Sequence, residues 1–296
     1  MTKDTEILAR RRVLVVASPK GGVGKSSLSR NILVSAVMAG FRVIGADLNP
    51  QQTLWKWHER REKMRASFPE VMTAPVTLGT LGDWRKTVAL VEDYDLVVID
   101  TPPSIETHYG VMINLCAAAH HVLVPCGATL DDVDSVTPWM RTLTAAKVPA
   151  SFVMNRVNNR VNSFKTYQTK LLAVGQLCPV AVPQIEDVHL SAAKGLAVPD
   201  LISRRHQETF DALWSYVARE VGLPVSEASL SADPRATAPP PNRKTSEAIA
   251  AVEQSENAKG LAIAAALVQL VEGISHDLGK RVAAVHAQMD AIINKE

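Results

Sequence analysis

The chain has 296 residues, room for an α/β domain of roughly 220 residues plus an appendage. Lys+Arg number 32 against 30 Asp+Glu, a formal net charge of +2, so no global field marks a nucleic-acid binder and any such contact must come from a local patch. Cys116, Cys126 and Cys178 have neither disulfide nor metal-site spacing and read as small core residues in a reducing compartment. Apolar runs are strand-sized, which excludes a membrane span, and residues 1–11 form a polar tail without a secretion signal, so the reading is cytoplasmic.

Val13-Leu14-Val15-Val16 is a β-branched apolar run that reads as a buried strand, and a Gly-rich turn carries it into a helical pattern over residues 28–40. The turn, Pro19-Lys20-Gly21-Gly22-Val23-Gly24-Lys25-Ser26-Ser27, has the chemistry of a phosphate-binding loop. Glycines let backbone N–H groups close around a polyphosphate, and the helix N-terminus adds positive potential. Lys25 reaches the outer phosphates and Ser26 can ligate Mg2+. Against the general pattern G-x-x-x-x-G-K-S/T, Pro19 replaces the first glycine and a second lysine, Lys20, stands just inside the loop.

Residues 42–47 predict a second buried strand, ending in Asp47-Leu48-Asn49-Pro50-Gln51-Gln52-Thr53. Asp47 suits either a helix cap or a site carboxylate. A weaker strand around Val76-Thr77-Leu78 and a helix over 84–91 lead to Leu96-Val97-Val98-Ile99-Asp100, a buried strand that delivers a carboxylate, followed by Thr101-Pro102-Pro103-Ser104. Residues 121–126 predict a further strand. Its adjacent His120 and His121 point to opposite faces and cannot share an ion. A helix over 131–146, a strand over 150–157 containing Asn155, a helix over 163–175 and a last strand over 180–183 ending in Pro183 follow. Helix 203–221 carries a core stripe of Phe210, Leu213, Trp214 and Val217.

Composition divides the chain into the tail 1–11, a domain 12–222, a Pro/Ala/Ser-rich linker 223–257 and a C-terminal helical segment 258–296. That segment repeats apolar residues at steps of four and three, from Ile274 through Leu278, Val282 and Val285 to Met289 and Ile292, and needs a partner surface. Its acidic residues slightly outnumber its basic ones, so it lacks the basic face of a membrane-surface helix.

Lys20-Gly21-Gly22-Val23-Gly24-Lys25-Ser26 resembles the deviant Walker A loop of the ParA/MinD family of ATPases, closest to plasmid-partition ParA proteins of the short type. Asp47 to Thr53 resembles the family's D-x-D-P-Q-x-S/T motif, and the segment around Asp100 its Walker B and switch. The resemblance covers residues 12 to about 222. It implies an α/β fold: a doubly wound, mostly parallel sheet with helices on both faces, a P-loop NTPase. It also implies an ATPase, of the ATP-hydrolysing EC 3.6 class, that works with ATP and Mg2+ as a homodimer across two ATP molecules. Lys20, Gly21, Gly22, Val23, Gly24, Lys25, Ser26 and Ser27 would hold nucleotide, with Ser26 and Asp100 on the metal and Lys20 reaching the partner's nucleotide.

Asp47 and position 49 would serve catalysis, but Asn49 stands where the family carries a second acidic residue. An amide can orient the attacking water and cannot accept its proton. Asn155 and Pro183 match family positions beside the adenine, although Asn155 suits a plain turn equally. The resemblance implies non-specific DNA binding in the ATP state, hence nucleoid association, with Lys194, Arg204 and Arg205 as candidates, and a ParB-like or cargo-adaptor partner without a membrane. Those three cations are otherwise a solvated surface. His189 stands where the family often has Arg. The expected function is an ATPase that partitions or positions DNA or another cargo. The alternatives are a slowly hydrolysing nucleotide-gated assembly protein and a MinD-like positioning regulator.

Overall fold

The computed structural model describes residues 11–89, 91, 93–103, 108–201 and 206–224. The expected linker and C-terminal helical segment lie outside the described residues. Among the described residues eight strands and eight helices follow one another, alternating as far as β7: β1 (Arg12–Val16), α1 (Lys25–Met38), β2 (Val43–Asp47), α2 (Thr53–Ser67), β3 (Val76–Leu78), α3 (Trp84–Ala89), β4 (Leu96–Asp100) and α4 (Tyr109–Ala117) come first. Then follow β5 (His121–Cys126), α5 (Leu130–Ala145), β6 (Ala150–Val157), α6 (Asn162–Leu172), β7 (Gln176–Leu177), β8 (Val182–Pro183), α7 (Asp187–Ala193) and α8 (Gln207–Val221), with a 3-10 turn at Val198–Asp200.

The strands form an eight-stranded sheet in the order β3-β2-β4-β1-β5-β6-β7, with β8 on β6, and each described pairing is parallel. Such strands are buried on both sides, which is why β1 reads as an unbroken apolar run. Val13 and Val15 enter one core with residues of α3, α4, α5 and α6, while Leu14 and Val16 enter the other with residues of α1, α2, α7 and α8. Phe210, Leu213, Trp214 and Val217 all lie in that second core. Cys116, Cys126 and Cys178 are buried free thiols.

The strand order reverses at β1, whose neighbours are β4 and β5. In an open α/β sheet the ligand crevice lies at such a switch, outside the carboxyl ends of the strands. Three of those ends are level here: Val16 is in register with Asp100, and Asp100 with Asp47.

On the α1/α2 face, α2 is fastened to residues 195–200 by a buried charge pair. Arg61, fully buried, donates from both terminal nitrogens to Asp200 at 2.7 and 2.9 Å and from Nε to the Met72 carbonyl at 2.9 Å. Trp57 Nε1 donates to the Leu196 carbonyl at 2.9 Å. Gly195 has φ 75, and a Cβ there would overlap the backbone of Arg60 and Arg61, so only glycine allows this approach. Asp200→Ala should destabilise the protein by about 3–5 kcal/mol, because it leaves Arg61 buried without its anion. Urea unfolding followed by tryptophan fluorescence measures it.

Candidate nucleotide-binding site

The loop between β1 and α1 is shaped for an anion. Gly22 and Gly24 have φ 78 and 91, and a Cβ on Gly24 would also overlap the Asn155 amide. The first turn of α1 has neither a capping side chain nor an acidic residue, so its N–H donors and positive dipole end are left for a ligand. Lys25 is buried, and its Nζ donates to the carbonyls of Ser18 at 3.3 Å and Lys20 at 3.2 Å. Burial lowers its pKa, and the charge of Asp100 partly opposes that shift.

Asp100 is fully buried and accepts from Ser26 Oγ at 2.5 Å and from Ser29 Oγ at 3.4 Å. Burial pushes its carboxyl up to about 7, nearby Asp47 pushes the same way, and the bond from Ser26 and the charge of Lys25 oppose. A hydroxyl and a carboxylate in contact are hard oxygen donors of the kind Mg2+ takes, the remaining ligands coming from phosphate and water. Ser26 and Asp100 therefore fit that ion. Asp47 accepts from the backbone N–H of Asn49 at 3.0 Å and of Trp55 at 2.9 Å, so it caps the first turn of α2 while standing beside Asp100. The cap and the candidate site carboxylate are thus the same residue.

Asn49 is buried and its Oδ1 accepts from the Gln51 N–H at 3.1 Å, closing an Asx turn before the left-handed Gln52 (φ 54). The other lone pair of that oxygen and the amide hydrogens are what it can offer a water. At the end of β6, Asn155 donates from Nδ2 to the Val23 carbonyl at 2.7 Å. Arg156, at φ 56, donates from Nη1 to the Gly22 carbonyl at 2.7 Å. Asn155 thus supports the loop, with its oxygen and second amide hydrogen available to a base. Pro183 lies on β8 opposite Val157, on the same strand edge. Lys20 pairs with Asp132 at 2.6 Å, and this hydrogen bond raises its pKa.

Arg156 and Asp132 went unread in the sequence. A further feature legible there is that residues 135–185 contain Arg141, Lys147, Arg156, Arg160, Lys165 and Lys170 and no Asp or Glu. All six cations are exposed. Lys194 is the C-cap of α7, and Arg204 and Arg205 lie outside the described residues. His120 Nδ1 accepts from the Val13 N–H at 3.0 Å, and His121 Nε2 hydrogen-bonds Ser151 Oγ at 2.8 Å. The two rings serve different strands.

Residues 14–198 match the profile of the CobQ/CobB/MinD/ParA nucleotide binding domain. The chain belongs to this family. Its members include ParA/MinD-type ATPases, and the parallel sheet is their fold. The maintenance of carboxysome distribution protein A of Halothiobacillus neapolitanus is 27% identical over 168 residues, 55% of this chain and 74% of that protein. The chromosome-partitioning ATPase Soj of Thermus thermophilus is 27% identical over 158 residues, 46% of this chain and 62% of Soj. The structure of Cyanothece apo McdA superposes with a TM-score of 0.55 at 17% identity, covering 70% of this chain and 99% of that one. MinD in the MinC:MinD cell division complex of Aquifex aeolicus gives a TM-score of 0.55 at 17% identity, covering 73% and 97%. At that identity the likeness is one of fold. Among the described residues no helix is long and apolar enough to cross a membrane.

The carboxyl of Asp100 stands at about 7 in the fold, above its ordinary value near ~3.9. The folded state therefore holds a proton that the unfolded state releases, so this contribution to stability is full below pH ~4 and lost as pH rises through 7. Asp100→Asn should flatten that decline and melt above wild type at pH 8 without nucleotide. Calorimetric melts of both proteins from pH 5 to 8 check it.

Proposed function

We propose that the chain is an ATP-dependent switch of the ParA/MinD type. It dimerises across two ATP molecules, with Mg2+ held by Ser26 and Asp100, and positions DNA or another cargo through a ParB-like or adaptor partner. The observation that carries this reading is the unlike setting of two lysines on one loop. Lys25 is buried and turned inward onto loop carbonyls. Lys20 has 36% of its side chain exposed and is tied to Asp132 at the rim. The lysine end of the pair is exposed and screened by solvent, which leaves Lys20 able to move onto a phosphate of a facing subunit. A cation there stabilises the charge that develops as the terminal phosphoryl group leaves. Relatives named for carboxysome distribution and chromosome partitioning support the positioning role.

Lys25→Ala should abolish ATP and ADP binding. Lys20→Ala should keep ADP affinity within about twofold, under ~0.5 kcal/mol, and lose ATP-driven dimerisation or hydrolysis. Calorimetry and light scattering of both variants decide, and equal loss of ADP affinity in the two would refute the division of labour.

For DNA, the acid-free run 135–185 supports a cationic surface on α6 and the C-terminal half of α5, in addition to Lys194, Arg204 and Arg205. Phosphate contacts of this kind are salt-dependent. Arg141→Glu, Lys165→Glu and Lys170→Glu together should reduce DNA retention in the ATP state and lower the slope of log affinity against log salt by about one per lost contact. An unchanged slope, with loss instead in Lys194→Ala, would move the surface to α7.

The engaged oxygen of Asn49 favours a second reading, an ATP-held clamp that turns over slowly. If the residue only orients water, Asn49→Asp should change steady-state turnover by less than about tenfold, a barrier change under ~1.4 kcal/mol. A gain of about a hundredfold, the low end of a general-base contribution, would favour the clamp.

A further inference from the structure

Arg30 is a buried cation. It lies on α1 one turn beyond the phosphate loop, 8% exposed, and among the described residues no carboxylate pairs with it. Its Nη2 donates to Ser27 Oγ at 3.2 Å and to the Val188 carbonyl of α7 at 2.9 Å, and its buried Nε has no hydrogen-bond partner. Burial, then the neighbouring charge of Arg60, lowers its pKa to about 10, with the charge of Asp100 opposing from a distance, which leaves it protonated at neutral pH. Arg60 cannot relieve it, being a second cation; its own Nε donates to the Ala192 carbonyl of α7 at 3.2 Å. A desolvated guanidinium with one N–H unmatched is costly unless a negative charge approaches.

Ser27 points to where that charge comes from. A serine hydroxyl has one hydrogen to donate and two lone pairs to accept with. Arg30 fills one lone pair, so the hydrogen stays available, and the cation polarises it into a stronger donor. Ser27 stands at the first turn of α1, the turn whose backbone donors lack a cap. Asn31 Nδ2 fixes the Ser27 carbonyl at 2.8 Å, so the residue is held from both its side chain and its backbone.

We infer that Arg30 is a positioning residue of the nucleotide site: it sets the Ser27 hydroxyl to donate to a bound nucleoside polyphosphate and supplies buried positive charge behind it. This rests on the reading that the loop binds ATP. The alternative is that Arg30 only ties α1 to α7 through Val188.

The two differ in what loss of charge does. Arg30→Met keeps the aliphatic volume and removes the charge. On the proposal it melts at or above wild type without nucleotide, and its ATP and ADP affinities fall ~10- to 100-fold, the range of a hydrogen bond to a charged group. Ser27→Ala should lose affinity similarly, and the double variant little more, because both remove one interaction. A lower nucleotide-free melting temperature with wild-type affinity would overturn the inference, as would additive losses in the double variant. Should Arg30→Met fail to fold, Arg30→Lys carries the test. Retained charge should keep affinity within about threefold, under ~0.7 kcal/mol, and a loss of about tenfold or more refutes the role. Calorimetry of wild type with ATP and ADP, beside Lys25→Ala, separates the two failures. A wild type that binds neither nucleotide ends the ATP reading and this inference with it, whereas a binding wild type with an indifferent Arg30→Met ends only the inference.

Discussion

The site depends on the level at which three parallel strands stop. β1, β4 and β2 end in one row at Val16, Asp100 and Asp47, which sets a phosphate loop beside two carboxylates on a single sheet edge. Neither carboxylate touches solvent, and their charges repel. Burial raises the Asp47 carboxyl as well, but hydrogen bonds from the backbone N–H groups of Trp55 and Asn49 oppose that shift by favouring its ionised form. Asp100 has hydroxyls and one lysine instead, so its carboxyl keeps a proton up to about neutral pH. The unevenness makes Asp100 the group most relieved by an arriving cation. A divalent ion between Ser26 and Asp100 would remove a penalty that the fold by itself leaves standing.

Four cations surround the loop, and burial sorts their tasks. Lys25, with its pKa lowered, rests on carbonyls and is lightly held by them. Arg156 is exposed and reaches back to the Gly22 carbonyl from a left-handed residue, which fixes the outer wall of the loop. Lys20 sits at the rim on a carboxylate it can leave. Arg30 stands behind the first turn of α1. An anion entering the loop meets positive charge from several sides.

The motif chemistry was legible because it is local. Val13 to Ser27 needs only its own spacing to be read as strand, loop and helix, and Asp100 only the apolar run before it. The helix over 131–146 was read despite Pro138, because Val133, Val136, Met140 and Leu143 keep the helical period through it. Three elements carry no pattern that predicts them: β7 has two residues, α4 follows a proline-rich turn, and α7 is a helix of seven residues. Asp132, Arg156, Arg30 and Asp200 were invisible for a different reason. Arg156 meets a residue 134 positions away, Arg30 one 158 away and Asp200 one 139 away, and a single sequence carries no sign of who faces whom.

Those distant contacts close a loop of rigid parts. Asp47 caps the start of α2, Arg61 near its far end grips Asp200, and the Val198 N–H donates to Asn31 Oδ1 on α1 at 2.9 Å. α1 returns to the carboxylates through Ser26 and Ser29. Each link is buried or partly buried, so shifting one member strains the others, and packed interiors deform little. The second acidic position of the motif lies inside this frame, where Asn49 spends its oxygen on the turn that aims α2. A carboxylate there could accept the same N–H, so the turn alone does not demand an amide. What the amide changes is charge: a third buried carboxylate beside Asp47 and Asp100 would add its repulsion to theirs. Asn49 keeps the geometry of the turn while sparing the nucleotide-free fold another buried anion.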